Sequence, residues 1–352
     1  MKKTLLFAAC VCLCLTACQN NTDSLLESET GALRISLSTE GSPSTKSVTD
    51  IVGKEATIHD VQLFIFKADG TLYQRETFPE NTTTCSVSGV KAGYYQLAAL
   101  VNAPALTNVG TLSDLQEQTV RLSNNDPQVG FVMYGATENA VMVSGGNTPA
   151  SATIELTRFV SRVRLTTVKN NLPSGCGTLT VETVLLENGL GTWTVSGSGS
   201  PTDAVNQAGR KKGKSTSTVE TDFIAAAADA ECASMTFQAP AKAVSRGDTP
   251  ESINLPFYCF PNPTMVSDDN TGPTNNLACA RLVLKISYGS PAESWYYPVT
   301  IPGMARNTSY DVSFIISGPG SKDPNSPVTN GNLSVAIQVK AWGDGTSYTG
   351  DF

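Results

Sequence analysis

His59 is the single histidine of this 352-residue chain, placed between Ile58 and Asp60 at the entrance to an apolar alternating run. Any Ser-His-Asp or Cys-His nucleophilic arrangement would have to use it, and a histidine-rich metal site has no second ligand of its kind. A structural place before a strand is expected for it. Ser88-Gly89-Val90-Lys91 has the S-x-x-K spacing in which a lysine activates a serine, but the SDN and KTG companions of that chemistry are missing. Asp268, Asp269 and Asn270 offer oxygens suited to calcium without the spacing and closing glutamate of an EF-hand loop, so a polar turn is expected there. No carboxylate pair is singled out for glycoside hydrolysis. Trp193, Trp295 and Trp342 could form a sugar platform, although aromatics in β-sandwiches more commonly fill cores. The expectation is a protein that is not an enzyme and needs no metal or cofactor.

Cysteine supplies a different chemistry. Lys2 and Lys3 precede the apolar LLFAACVCLCLTA and then Cys18, the layout of an export signal. That apolar stretch is shorter than the roughly 20 residues a membrane-spanning helix needs. Leu15-Thr16-Ala17-Cys18 resembles the lipobox of bacterial lipoproteins, which implies removal of residues 1–17 and acylation of Cys18. A plain secretory signal cut nearby is the alternative. The remaining Cys85, Cys176, Cys232, Cys259 and Cys279 show no CxxC spacing; one or two disulfides and isolated buried thiols both fit. A net charge of -7 disfavours nucleic acid as a partner, and the one basic run, Arg210, Lys211, Lys212 and Lys214, is expected to be a solvated loop.

The elements that must carry these residues are strands. With 40% hydrophobic and 16% charged residues, the chain can bury one or two cores. Short runs rich in Val, Ile, Thr, Phe and Tyr alternate with Gly, Pro, Asn, Asp and Ser throughout, the punctuation of an all-β protein. VQLFIFKADGTLYQRETF (61–78) places Val61, Leu63 and Ile65 on one face and Phe64 and Phe66 on the other, with Asp69-Gly70 turning the hairpin. YYQLAALVNA (94–103) is apolar on both faces, as a strand inside a sandwich should be. Ser113 is the expected cap of a short helix covering the first sheet. SATIELTRFVSRVRLTTV (151–168) is a long alternating segment carrying Arg158, Arg162 and Arg164, and a boundary between two β-rich domains is expected just before it. GSGSPTDAVNQAGRKKGKSTST (197–218) is expected to be a long surface loop.

The two ends carry matching patterns. Leu33, Ile35 and Leu37 alternate with Arg34, Ser36 and Ser38, and a Gly/Ser/Pro/Thr linker with Lys46 follows. At the other end, Leu333, Val335, Ile337 and Val339 alternate with Ser334, Ala336, Gln338 and Lys340. The preceding loop, 318–331, is rich in Gly and Pro and is expected to act as a hinge. A strand that fills a groove in its own domain, once cut away, leaves a template for strand addition from another subunit. Such a head-to-tail contact does not close and builds a filament.

The lipobox cysteine, the N-terminal strand before Ser44-Thr45-Lys46-Ser47, VQLFIFKADGTL, LTRFVSRVRL, and Arg306-Asn307-Thr308-Ser309-Tyr310 leading to SGPGSKDP and the closing strand with Trp342 together resemble the FimA/Mfa-like fimbrillin family of Bacteroidetes. The resemblance implies an all-β fold of two transthyretin-like β-sandwich domains in tandem: a propeptide at 18–46, an N-terminal domain at 47–150 and a C-terminal domain at 151–352. It implies a lipid-anchored precursor in the outer membrane and cleavage by a trypsin-like protease. Polymerisation by donor-strand exchange would then give an adhesive extracellular fimbrium. On this sequence the cut maps to the bond between Lys46 and Ser47, with Lys54 as the fallback, since Arg34 lies within the strand itself. The plug would be Leu33, Ile35 and Leu37; the donor would be Leu333, Val335, Ile337 and Val339, within Leu333 to Trp342 and the tail to Phe352. Expected partners are other copies, related pilus subunits, the protease, and host or bacterial surface ligands. A non-polymerising anchor or accessory subunit, or a surface glycan-binding lipoprotein, is the alternative.

Overall fold

The computed structural model describes residues 29–39, 54–199, 232–264, 279–324, 326–329, 331–342 and, for the backbone, 347–351. Cys18, Lys46, Ser47, the basic run at 210–214 and Asp268, Asp269 and Asn270 lie outside the described residues.

Strands dominate. In chain order they are β1 (Thr30–Thr39), β2 (Val61–Lys67), β3 (Leu72–Phe78), β4 (Thr84–Lys91), β5 (Gly93–Val101), then helix α1 (Leu112–Glu117), β6 (Thr119–Arg121), β7 (Met133–Ala136), β8 (Val141–Val143) and β9 (Ala150–Arg158). The second half holds β10 (Ser161–Asn170), β11 (Leu179–Glu187), β12 (Thr192–Thr194), helix α2 (Ala233–Thr236), β13 (Phe237–Gln238), β14 (Lys242–Val244), β15 (Glu251–Cys259), β16 (Ala280–Tyr288), β17 (Glu293–Ile301), β18 (Thr308–Ile316), β19 (Leu333–Ala341) and β20 (Ser347–Asp351).

The first half forms one sheet in the order β3-β2-β5-β7-β9-β1-β4, with β8 against β5. It closes over a core because β9 pairs through its first residues with β1 and through its last with β7. Leu33, Ile35 and Leu37 of β1 meet Val61, Leu63 and Ile65 of β2 and Leu97, Ala99 and Val101 of β5 in that core. The opposite faces of β2 and β5, with Phe64, Phe66, Ala98 and Leu100, join a second apolar cluster that continues into the C-terminal strands. Both faces being buried explains why these two strands read as nearly unbroken apolar runs. Gly70, at φ +81°, makes the hairpin turn between β2 and β3.

In the second half, β15-β10-β18-β19-β20 faces β13-β11-β16-β17, with β14 against β11. The helix α1 is present, but its cap is Thr111, two positions before the expected Ser113. The Thr111 hydroxyl accepts from the Asp114 N–H at 3.1 Å while the Asp114 carboxylate accepts from the Thr111 N–H at 2.8 Å, a capping box. The alternating segment 151–168 is two strands broken at Phe159-Val160. Because β9 stays in the first sheet beside β1, the chain changes sheets at that break, later than the position expected from sequence.

Candidate functional site

β1 occupies an interior slot. It runs antiparallel to β4, pairing Leu33 with Val87 and Ile35 with Cys85, and parallel to β9, pairing Leu33 with Ala150 and Leu37 with Ile154. Leu33, Ile35 and Leu37 are buried, whereas Arg34, Ser36 and Ser38 are exposed. At about 1.5–3 kcal/mol per buried side chain, those three contribute roughly 5–9 kcal/mol. Its close seat depends on Gly31, where a Cβ would run into the Ser144 carbonyl oxygen and the Val143 side chain. Taking β1 away would leave β4 and β9 with unpaired edges over an open apolar groove. Arg34, held in register with Ser86 and Ser151, has its backbone locked in the ladder.

β19 repeats the β1 pattern in a different setting. It pairs antiparallel with β18, Ile337 opposite Val312, and with β20 on its other side. Ile337 is buried; Leu333, Val335 and Val339 are half-buried against the core. On the opposite face, Lys340 Nζ lies 3.0 Å from Asp311 Oδ2, and Arg164 grips the same carboxylate through Nε at 3.0 Å and Nη2 at 2.6 Å. Burial works against the charge of Asp311, yet these two cations outweigh it and hold its carboxyl below the usual range.

The strand ends in a buried polar hub. The Glu55 carboxylate accepts hydrogen bonds from Tyr258 Oη at 2.6 Å, Trp342 Nε1 at 3.1 Å and Arg162 Nη1 at 2.9 Å. Arg158 Nε donates to the Glu55 carbonyl oxygen at 2.9 Å, and its Nη1 donates to Asn307 Oδ1 at 3.1 Å. The Trp342 ring has the Arg158 and Arg162 guanidinium carbons 5.2 and 5.1 Å from its centroid, stacks on Tyr258 and meets Phe131 edge-on. Burial, then the Glu55 charge, pushes the Tyr258 hydroxyl pKa up, so it donates. Asn307, at φ +53°, completes the hub: its carbonyl accepts from the Trp342 N–H at 3.0 Å. Arg158 and Arg162 of segment 151–168 were the visible signal of this network, since arginines in an apolar strand need partners. Glu55 itself carried none, because its partners lie up to 287 positions away.

The loop before β19 is strapped down along its first part. Ser321 and Tyr296 exchange both backbone hydrogen bonds, at 2.8 and 2.9 Å, which adds a bridge to the edge of β17. Tyr297 Oη donates to the Gly318 carbonyl at 2.8 Å, and Arg281 Nη2 donates to the Pro324 carbonyl. Gly320 lets the loop approach so closely, since a Cβ would strike the Tyr296 carbonyl oxygen. The hinge expected over 318–331 is therefore not supported across 318–324.

The chemistry weighed for other residues finds structural settings. His59 Nδ1 lies 3.2 Å from an exposed Glu80 carboxylate. Ser88 and Lys91 are both exposed on β4. Trp193 stacks on Phe260, Trp295 is covered by Lys322 Nζ 3.5 Å from its centroid, and Trp342 is in the hub. Among the described residues, the five cysteines are free thiols, no metal-ligating cluster exists, and no helix is long and apolar enough to cross a membrane.

The family model described as "Fimbrillin-A associated anchor proteins Mfa1 and Mfa2" matches residues 25–221, more than half of the chain. The chain belongs to this family. No curated protein matches it by sequence. Among solved structures it is similar to a candidate cell adhesion protein from Parabacteroides distasonis ATCC 8503, with a TM-score of 0.60 at 16% identity over 89% of this chain and 99% of that one. It is also similar to a fimbrilin (FimA) from Porphyromonas gingivalis W83, with a TM-score of 0.59 at 15% identity over 89% and 98%. A third is a candidate cell adhesion protein from Bacteroides eggerthii DSM 20697, with a TM-score of 0.58 at 19% identity over 89% and 96%. At such identities the likeness is one of fold. Family membership makes this a pilus-associated protein of the cell surface or fimbrium, from a family of structural proteins rather than enzymes that associates with other pilus subunits.

Proposed function

We propose that the chain is a fimbrial subunit exported as a lipoprotein on Cys18, cut between Lys46 and Ser47, and polymerised when a neighbour's C-terminal strand replaces β1. The observation that supports this most is the place of β1: an interior strand between β4 and β9, followed in sequence by the Gly/Ser/Pro/Thr-rich stretch that carries Lys46. The roughly 5–9 kcal/mol held by its three buried side chains is of the order of a whole domain's net stability, about 5–15 kcal/mol. An emptied slot therefore demands a replacement. Leu333, Val335, Ile337 and Val339 repeat the two-residue period of Leu33, Ile35 and Leu37 and match what the slot accepts.

An anchor or accessory subunit that keeps its lipid is the second candidate, favoured by the description of the matching family as anchor proteins. N-terminal sequencing of the surface-exposed form separates the two. A chain starting at Ser47 is expected for the polymerising subunit; one starting at acylated Cys18 contradicts cleavage and points to the anchor.

A further inference from the structure

We propose that Glu55 is a clasp on the C-terminal strand: it ties the segment just after the N-terminal linker to Trp342 at the end of β19, and so sets how readily that strand leaves its own subunit. This deepens the assembly role proposed above and rests on it.

Four observations carry the inference. The Glu55 side chain is about 1% exposed and bonds at once to Arg162, Tyr258 and Trp342. Trp342 is the residue that follows β19, and its indole N–H spends its only donor on Glu55. Two guanidinium groups lie over the same indole, a placement favourable mainly where water is excluded. At the other end of β19 the fastening is lighter: the Asn332 carbonyl, just before Leu333, accepts from the Gly318 N–H at 3.1 Å and Asn332 Nδ2 donates to the Pro319 carbonyl at 3.0 Å, neutral hydrogen bonds to a strap that Ser321 holds to β17.

Departure of Trp342 would leave Glu55, Arg158 and Arg162 beside an emptied site. Exposing one side of a buried charge network is costly even where forming the network contributed little. Lys340 and Asp311 add a second fastening on the same strand. The chain thus holds β19 most firmly at its distal end, beside Glu55. Peeling is expected to begin at Leu333 and to stop at Trp342 unless the clasp opens.

Hydrogen exchange on the full chain, before any protease treatment, tests this without requiring assembly. In Trp342→Phe, which keeps the ring packing but loses the indole N–H, amides of 333–341 are expected to exchange about tenfold faster, as loss of a hydrogen bond to a charged group implies. Amides of β16 and β17 should keep their rates. Glu55→Gln should act in the same direction and serves if Trp342→Phe fails to fold. Unchanged β19 rates would overturn the clasp, as would an equal acceleration in β16 and β17. Faster β19 exchange with no polymer after cleavage would leave the clasp standing and remove the assembly role; normal polymer with unchanged exchange would do the reverse.

Discussion

Glu187 on β11 is completely buried, and burial pushes its carboxyl up to about 7, with Arg281 at 3.5 Å pulling it down and Asp323 adding to the rise. The folded chain keeps this proton where the unfolded chain has lost it. Its contribution to stability is therefore full below about 4.5 and is lost as the pH rises through about 7. Glu187→Gln is expected to flatten the fall in unfolding free energy between those values, measured by urea denaturation across pH; an unchanged slope would contradict the assignment. Ile35 is wholly buried in β1, and Ile35→Ala should cost about 2–5 kcal/mol in the same assay. The Ile35 position was legible from alternation alone, because period two maps directly onto one face of a strand. Glu55 and Glu187 were not: a buried carboxylate looks like any surface glutamate until its distant partners are placed around it.

β1 is the element on which the functional account turns. Gly31→Val should push its start away from the Ser144 carbonyl and raise hydrogen exchange along Leu33–Leu37, leaving β10 and β18 unaffected; equal protection in the variant would mean that β1 is not seated through Gly31. Thr111→Ala, which removes the α1 cap, should cost about 1 kcal/mol, seen as a lower urea midpoint, whereas Ser113→Ala should change little. The β2-β3 hairpin was readable in the sequence, since Asp-Gly turns and alternating faces are local signals. The break at Phe159-Val160 was hidden because apolar residues continue through it. The strap at 318–324 was hidden as well: Gly and Pro signal irregular backbone, but they do not reveal that Ser321 docks on a strand edge.

For the whole molecule, the two chain ends are the parts that assembly would rearrange. The all-β class was evident from composition and punctuation; the order β9-β1-β4 was not, because parallel pairing between the first strand and one more than a hundred residues later leaves no local trace. The central claim is that β1 is a removable strand whose slot a neighbour's strand refills. It is tested most directly by treating the chain that begins at Cys18 with a trypsin-like protease, sequencing the new N-terminus and resolving the product on SDS gels without boiling. A new terminus at Ser47 with an SDS-resistant ladder, absent in Lys46→Ala, is the predicted result. A chain that loses β1 at Lys46 and stays monomeric, or Lys46→Ala protein that forms the same ladder, would contradict it.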